Sequence, residues 1–358
     1  MNWLYPHTTL QIEPTRRCNL NCKICMRKVL NETTASLSLK DFRKVLDSSN
    51  LSHVALHGWG EPLLNPQLFD MINYAESKGI STELTTNATL IEKNIDKIFA
   101  SGLSVIAFGI HNKDNLPVIM PQINELITQR NSEKLSKPST YADIVIYSKN
   151  QNEITELIKI SDELSIDAVV LHRVFNPTTS FLDFASKCSE SIFGETYPVN
   201  VKSNHLSSRV NIYPVRKPRP LAGSVVKKFE AMEGFKALPQ FSDGVNKLDT
   251  NVGYISIQEE KELFVKLRRL ARELNVKLYL PPRPSIPCKA VKFSVFVTSE
   301  GKVAPCPYLP EFYVGDALNE GLKDVTYSQR HRNFVRNMRT HPVCSKCPLG
   351  STSCNFYS

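Results

Sequence analysis

The chain has 358 residues, 41% hydrophobic and 22% charged, a composition typical of a folded protein with enough apolar material for a core. No stretch approaches the roughly 18 consecutive apolar residues of a membrane span, and the N-terminus lacks the features of a signal peptide. We therefore expect a cytoplasmic protein without a membrane partner. In that compartment its nine cysteines are better explained as ligands or reactive thiols than as disulfides.

Residues 8–174 predict alternating strands and helices. Apolar strand-like runs are separated by segments with apolar residues at helical spacing; the runs are 8–14, 53–60, 81–88, 104–110, 141–148 and 167–174. This alternation is typical of parallel β/α units. We predict an α/β fold with a closed or partly closed barrel, whose functional groups follow the carboxyl ends of the strands.

The alternation stops near residue 176. The following stretch is rich in Pro, Ser and basic residues, with eight Lys or Arg and two Glu between residues 202 and 236. We predict an insertion at about 177–255, since the stretch is too long for a simple connection. Cys188 stands alone within it and is interpreted as an idle thiol. A helix at 256–275 and a strand at 276–282 complete a first domain, 1–284, and a cysteine-rich second domain covers 285–358.

Three cysteines directly follow the first predicted strand. They are Cys18, Cys22 and Cys25, in the sequence PTRRCNLNCKICMRK. Zinc sites prefer four ligands, and no fourth Cys or His is close in sequence. Three thiolates on a short loop fit a four-iron cluster better, and they would leave one iron open to a small molecule.

Two further turns follow the second and third predicted strands. The turn GWGEPLLNP starts at Gly58 and contains Glu61, and the turn TTNATL contains Asn87. Together with the C-x3-C-x2-C spacing, these turns closely resemble the radical S-adenosylmethionine (radical SAM) superfamily, whose hallmarks include GGEP-like and T-N-G-like turns. The resemblance covers 9–175 and the helix at 256–275, and it implies that family's partial (β/α)6 barrel.

The resemblance also implies roles for individual residues. The three cysteines would hold a [4Fe–4S] cluster whose fourth iron is chelated by SAM. Ile24 would lie near the adenine, the turn Trp59-Gly60-Glu61-Pro62 would receive the SAM amino group, and Asn87 would face the ribose or methionine portion. One electron from a reducing donor, flavodoxin or ferredoxin, would cleave SAM to methionine and a 5′-deoxyadenosyl radical that abstracts a substrate hydrogen.

Two positions depart from the family pattern. Trp59 stands where the family has the first of two glycines, and the fourth strand ends in FGIHN where many relatives have Ser-x-Asp. His111 therefore comes at a strand end, as do His57 and His172. We interpret these three histidines as candidates for contact with SAM or substrate; the alternative is that each is structural.

Five more cysteines occupy residues 285–358: Cys288, Cys306, Cys344, Cys347 and Cys354. The first two flank a predicted hairpin with Gly301 in its turn. This pattern resembles the SPASM and twitch auxiliary-cluster domains. It implies one auxiliary [4Fe–4S] cluster on the first two cysteines and two of the last three, for which we prefer the C-x2-C pair. A structural zinc site on that pair is the alternative.

Two cluster sites predict a radical SAM oxidoreductase or maturase. We expect modification of a peptide, protein or cofactor, slightly ahead of oxidation of a small molecule such as a sugar or an aminocyclitol. The basic insertion suits an anionic substrate. A non-catalytic iron–sulfur protein or a nucleic-acid-binding protein is the alternative from another class. The intact cysteine, glycine-turn and Asn87 motifs argue against a non-catalytic protein. The basic residues have few aromatic residues among them, which argues against nucleic-acid binding.

Overall fold

The computed structural model describes residues 8–30, 33–175, 255–281, 288, 290–309, 312–340, 344 and 347. The predicted basic insertion up to residue 254, with Cys188, lies outside the described residues, as does Cys354.

Strands and helices alternate in the predicted order through residue 173. The strands are β1 (Thr8–Ile12), β2 (Leu51–Leu56), β3 (Ser81–Thr86), β4 (Val105–Gly109), β5 (Ser139–Ile146), β6 (Ala168–Arg173), β7 (Lys277–Tyr279), β8 (Ser294–Val297), β9 (Lys302–Ala304) and β10 (Gly315–Asp316). The helices are α1 (Leu39–Asp47), α2 (Leu68–Ser77), α3 (Ile95–Ala100), α4 (Leu116–Ser132), α5 (Ile154–Glu163), α6 (Ile257–Glu273), α7 (Ala290–Phe293), α8 (Leu322–Tyr327) and α9 (Gln329–Asn337). Short 3₁₀ helices cover Met26–Val29, Pro62–Leu64 and Glu92–Asn94.

Local sequence explains where several helices begin. Ser38 caps α1 by accepting a hydrogen bond from the Asp41 backbone N–H. Ser256 and Glu259 form a reciprocal capping box at the start of α6. Helix α1 buries Phe42 together with Val45 and Leu46, the spacing of a single apolar face.

The ten strands form one sheet in the order β10-β9-β8-β1-β2-β3-β4-β5-β6-β7. Strands β1 to β7 are parallel to their neighbours in the sheet. The predicted partial barrel of parallel strands is thereby confirmed. Because parallel strands end at the same edge, the segments that follow β1 to β6 are brought together.

Alternate residues along the strands face two different apolar regions. Ile106, Phe108 and Ile144 belong to the main core, which includes the buried residues of helices α1 to α5. Val105 and Tyr141 belong to a separate, smaller cluster that Ala107, Ala168 and Val170 complete on the other face of the sheet. Both faces are therefore buried, as expected for parallel strands, and the second face lines the barrel interior.

The C-terminal hairpin extends the same sheet. Strand β8 runs parallel to β1, where Gln11 pairs with Phe296, and β9 returns antiparallel to β8. Gly301 supplies a positive φ of 79° in the turn, a conformation that favours glycine. The hairpin prediction is thus correct. Strands from both sides of residue 285 thus belong to one sheet.

Within the described residues, no helix combines the length and apolar character that crossing a membrane requires.

A buried ion pair stabilises the amino ends of the strands, away from the cysteine loop. Arg130 Nη1 on α4 lies 2.7 Å from Asp167 Oδ2, and the two side chains are 0% and 1% exposed. The same carboxylate oxygen accepts hydrogen bonds from the backbone N–H and the hydroxyl of Thr140. These contacts tie α4 to the starts of β5 and β6.

Asp167→Asn is expected to lower the free energy of unfolding by about 3–5 kcal/mol, because it leaves the Arg130 guanidinium buried without a counter-charge. Urea denaturation under anaerobic conditions measures this change. Asp70→Asn, at an exposed position in the first turn of α2, is the matched control and is expected to cost less than about 1 kcal/mol. Equal effects of the two substitutions would contradict the assigned role of the pair.

Candidate active site

The loop after β1 brings three partly buried thiols together. The Cys25 backbone N–H donates to the Cys22 carbonyl oxygen at 3.2 Å. Burial and, to a smaller extent, the neighbouring Cys25 and Cys18 thiols together raise the pKa of Cys22 to about 12. Burial also raises the pKa of Cys18 and of Cys25. A bound cation stabilises thiolates placed this close together, so the loop has the donor chemistry of a metal-cluster site.

A glycine turn after β2 lies directly against the chain that leads into this loop. A Cβ atom at Gly60 would lie 2.0 Å from the Thr15 carbonyl oxygen, and one at Gly58 would lie 2.6 Å from Glu13 Cγ. The Glu61 N–H donates to the Arg17 carbonyl oxygen at 2.8 Å. Gly60 is therefore required by the close approach of the backbone at Thr15, and Gly58 leaves room for the Glu13 side chain.

Gly60→Ala is expected to displace the turn and to weaken SAM binding at least about tenfold, because the new methyl group collides with backbone that cannot move aside. Equilibrium dialysis of labelled SAM against the anaerobically reconstituted protein measures the change. Gly79→Ala is the control for general backbone strain: its φ is +73°, so alanine is strained there, but a Cβ meets nothing within 4 Å and SAM affinity is expected to stay unchanged. Unchanged SAM affinity in Gly60→Ala would show that the turn does not contribute to the SAM site.

The Glu61 carboxylate joins this turn to the turn after β3. The side chain is 1% exposed and accepts hydrogen bonds from Thr86 Oγ1 at 2.7 Å, the Asn87 N–H at 2.8 Å and the Leu63 N–H at 3.1 Å. Burial raises the pKa of Glu61, and these hydrogen bonds oppose the rise. Both carboxylate oxygens are thus used within the protein, where they hold the two turns in register.

Asn87 lies beside the cysteine loop, as predicted from its position after β3. Its Nδ2 donates to Asn19 Oδ1 at 2.9 Å and lies 3.9 Å from Cys18 Sγ. Its Oδ1 accepts from the Thr89 hydroxyl, which in turn accepts from Asn19 Nδ2. Ala88 adopts a φ of +64°, where the resembling family has glycine. This network fixes the orientation of Asn87 relative to the loop.

The other predicted SAM-facing residues have distinct surroundings. Ile24 packs against Tyr147 and Val174, just beyond the ends of β5 and β6. Pro62 is buried and opens a 3₁₀ helix. Trp59 turns its indole toward the C-terminal segment and donates from Nε1 to the Pro307 carbonyl oxygen at 3.2 Å. The contact between Trp59 and the C-terminal segment was not predicted from the sequence.

Three histidines and a carboxylate occupy the barrel interior near the same strand ends. His172 Nε2 lies 3.1 Å from Asp143 Oδ1, and the side chains are 13% and 17% exposed. Burial raises the pKa of Asp143, but the neighbouring His172 and, to a smaller extent, His111 and His57 hold the pKa of Asp143 below its ordinary value. Burial lowers the pKa of His57 and of His111, which favours their neutral forms.

Sequence reasoning identified the three histidines but missed Asp143. Asp143 shares one side of β5 with Tyr141 and Val145, because alternate residues of a strand face the same side, but alternation alone does not tell which side lines the barrel. The Asn150 side chain, 1% exposed, fixes the loop above by donating to the His111 carbonyl oxygen at 2.6 Å. The histidine–aspartate group is therefore held in a defined arrangement.

The polar lining continues deeper into the barrel. His53 Nε2 on β2 lies 3.4 Å from Glu83 Oε2 on β3, and both side chains are 2% exposed. Gln11 Nε2 on β1 lies 3.4 Å from His57 Nδ1. Sequence reasoning also missed these three residues of the strands. They make the interior a place for a polar group rather than a purely apolar core.

The second set of thiols gathers in the C-terminal segment. Cys288, Cys306 and Cys344 pack against the main core, and Cys347 packs against the cluster that contains Met26. Burial and, to a smaller extent, the neighbouring Cys347 and Cys288 thiols together raise the pKa of Cys344 to about 12. The predicted C-x2-C pair is thus beside Cys288. Because Cys354 lies outside the described residues, the choice among the last three cysteines stays a prediction.

Both sets fit iron–sulfur clusters by their donor chemistry, since thiolates are the usual protein ligands of these clusters. Within the described ranges, no three His, Cys, Asp or Glu side chains are close enough together to hold a single metal ion. That finding concerns single ions. The cysteines of a four-iron cluster stand further apart, because each one binds a different iron.

Two family models match separate parts of the chain. Residues 12–135 match the model of the radical SAM superfamily, and residues 288–348 match that of SPASM, an iron–sulfur cluster-binding domain. The chain therefore carries a radical SAM domain at residues 12–135 and a C-terminal SPASM domain at residues 288–348. A radical SAM domain implies a [4Fe–4S] cluster and SAM, and a SPASM domain implies an auxiliary iron–sulfur cluster.

Individual relatives are distant. The chain is 26% identical over 181 residues to a tungsten-containing aldehyde ferredoxin oxidoreductase cofactor-modifying protein of Pyrococcus furiosus, covering 45% of this chain and 50% of that protein. It is 24% identical over 201 residues to a GTP 3',8-cyclase of Aquifex aeolicus, covering 51% and 62%. It spans only about half to three fifths of these relatives. The structure of Streptococcus suis SuiB bound to S-adenosylmethionine has the same fold, with a TM-score of 0.59 at 16% identity over 96% of this chain and 72% of SuiB.

Proposed function

We propose that this protein is a radical SAM maturase that modifies a peptide, a protein or a cofactor. One observation carries the proposal: the three-thiol loop, the glycine turn and the polar barrel interior meet at the same strand ends, and a second thiol set lies next to them. When bound, a [4Fe–4S] cluster and SAM supply a 5′-deoxyadenosyl radical that abstracts a hydrogen atom. The residues of the chain would hold the cluster, SAM and the substrate and would accept the substrate's proton.

Cys18, Cys22 and Cys25 would hold the cluster of the radical SAM domain. The turn at residues 59–62 would receive the SAM amino group through its backbone, since the Glu61 carboxylate already accepts three hydrogen bonds within the protein. Asn87 would face the ribose or methionine portion of SAM, and Ile24 would lie against the adenine. The close fit of Gly60 on the chain after β1 supports this arrangement.

The barrel interior would hold the substrate. We assign His172 as the group that accepts a proton from the substrate, because the Asp143 carboxylate 3.1 Å away stabilises the imidazolium that results. His57 and His111, kept neutral by burial, would orient polar groups of the substrate by hydrogen bonds. A buried carboxylate beside neutral imidazoles favours substrate groups that donate hydrogen bonds, such as hydroxyl, amide or ammonium groups.

Cys288, Cys306, Cys344 and Cys347 would hold the auxiliary cluster. This assignment follows the electrostatic contact of Cys344 with Cys347 and Cys288. We propose residues 1–284 as the radical SAM domain and residues 285–358 as the auxiliary-cluster domain, joined through the pairing of β1 with β8. A reducing protein such as flavodoxin or ferredoxin would deliver the electron.

The second candidate function is oxidation or rearrangement of a small molecule. It is favoured by the relative from Aquifex aeolicus, whose name gives GTP, a small molecule, as its substrate. The relative from Pyrococcus furiosus, a cofactor-modifying protein, favours the maturase. The two candidates differ in the size of the substrate, and that difference can be measured.

The experiment uses an extract of cells grown in deuterated medium. An ultrafiltration membrane that retains proteins and peptides but passes metabolites divides the extract, and each fraction is incubated with the reduced, reconstituted protein and SAM. Transfer of deuterium into 5′-deoxyadenosine, seen by mass spectrometry, shows which fraction holds the substrate. A maturase of proteins or peptides predicts transfer from the retained fraction. Transfer from the filtrate alone would contradict modification of a protein or peptide and leave a free cofactor or another small molecule as the substrate, and 5′-deoxyadenosine absent throughout would contradict both candidates.

A further inference from the structure

Trp59 contacts both cysteine-bearing regions of the protein. On one side, its carbonyl oxygen lies 4.0 Å from Cys25 Sγ. On the other side, its indole Nε1 donates to the Pro307 carbonyl oxygen at 3.2 Å, and Pro307 directly follows Cys306 in the chain. A single residue of the glycine turn therefore links the thiol loop of the barrel to the auxiliary thiols.

Aromatic packing reinforces this link. The Trp59 ring meets the Tyr308 ring edge to face, with centroids 5.7 Å apart, and Tyr308 packs on Phe175 at 4.7 Å. The three rings pack in one cluster with buried Met26, the neighbour of Cys25, and with partly buried Cys347. Because close-packed side chains transmit displacements, a shift in one cysteine region is felt in the other.

The backbone of Trp59 is anchored at a second shared point. Its N–H donates to Glu13 Oε1 at 2.9 Å, and Glu13 Oε2 accepts from the Ser299 hydroxyl at 3.3 Å in the turn of the β8–β9 hairpin. The resembling family has glycine at position 59, which offers neither an indole N–H nor a ring. The contacts to Pro307 and Tyr308 are thus specific to the tryptophan of this chain.

We propose that Trp59 is a positioning residue that couples the two cluster sites, so that filling the auxiliary site strengthens SAM binding at the glycine turn. The inference rests on the proposed function. An occupied auxiliary site fixes Cys306 and with it Pro307 and Tyr308, which hold Trp59 and thereby the adjoining Gly60. Since coupling between sites is reciprocal, bound SAM stabilises the auxiliary site to the same extent.

The test measures the dissociation constant of SAM by equilibrium dialysis on anaerobically reconstituted, full-length protein. Cys306→Ser removes an auxiliary ligand, and iron analysis establishes which cluster is lost. In the protein that retains Trp59, we expect Cys306→Ser to weaken SAM binding about tenfold. A change of this size is typical of coupling between two sites. In the Trp59→Gly background the same change is expected to weaken it less than about twofold. Phe99→Leu, at a partly buried aromatic residue of α3, is the matched control background and is expected to retain the full effect.

Other results of this experiment would contradict different parts of the inference. An equal effect of Cys306→Ser with tryptophan and with glycine at position 59 would overturn the role of Trp59, and no effect in either background would overturn the coupling itself. In both cases SAM still binds, so the proposed function stands. If the wild-type protein does not bind SAM, the proposed function and the inference are both wrong. If Trp59→Gly does not fold, Trp59→Ala decides, since it also lacks both the ring and the N–H donor; undiminished coupling there would overturn the inference.

Discussion

Cys22→Ala is expected to lower reductive cleavage of SAM at least about a thousandfold, because the three thiols act as a unit and losing one ligand removes the cluster that drives the reaction. Cys22 is the thiol in closest electrostatic contact with both of the others, Cys25 and Cys18, each of which raises its pKa. The measurement is the initial rate of 5′-deoxyadenosine formation with dithionite as the reductant.

Cys188→Ala is the control for this substitution. Cys188 stands apart from both cysteine sets in the sequence, so its replacement is expected to leave the rate and the iron content unchanged. A Cys22→Ala protein that cleaves SAM at the wild-type rate would contradict the assignment of the loop as the cluster site. An equal loss in both variants would point to general damage instead.

Glu13→Ala is expected to lower the free energy of unfolding by about 3–5 kcal/mol, because it leaves the buried Arg16 guanidinium without its counter-charge. The Glu13 side chain is 0% exposed, and Arg16 Nε lies 3.2 Å from its Oε2. The substitution also removes the acceptor for the Trp59 N–H and for Ser299. Urea denaturation of the anaerobic protein measures the loss.

A second substitution separates the charge from the other contacts. Arg16→Met removes the unpaired guanidinium, so the Glu13→Ala, Arg16→Met double variant is expected to be more stable than Glu13→Ala alone. If the double variant is instead less stable by the sum of the two single effects, the two residues do not interact, and the stabilising role assigned to the ion pair is wrong.

Much of the fold was predictable because its signals are local. The parallel strands β1 to β6 show apolar runs, and the helices between them show helical spacing and caps such as Ser38. The pairing of β8 with β1 was not predictable, because it joins segments about 285 residues apart and no local pattern specifies a partner strand. The predicted boundary at 285 rested on the change in cysteine content, which does not show that β8 joins the sheet of the first domain.

The candidate active site was also predictable only in part. The cysteine loop, the glycine turn and Asn87 carry short motifs, and the structure brings them together. Asp143 belongs to no motif. A single acidic residue in an apolar strand does not reveal that His172 is its partner or which face of the sheet it occupies. Both depend on the positions of the neighbouring strands. Trp59 was assigned to the SAM turn, but its contact with Pro307 bridges 248 residues and depends on where the hairpin docks.

The most direct test of the central claim is the content of iron and sulfide per chain after anaerobic reconstitution, compared with the Cys18→Ala, Cys22→Ala, Cys25→Ala triple variant. Two four-iron clusters predict about eight irons in the wild type and about four in the variant. About four irons falling to none, with zinc retained by the C-terminal cysteines, would contradict the auxiliary cluster and with it the coupling assigned to Trp59.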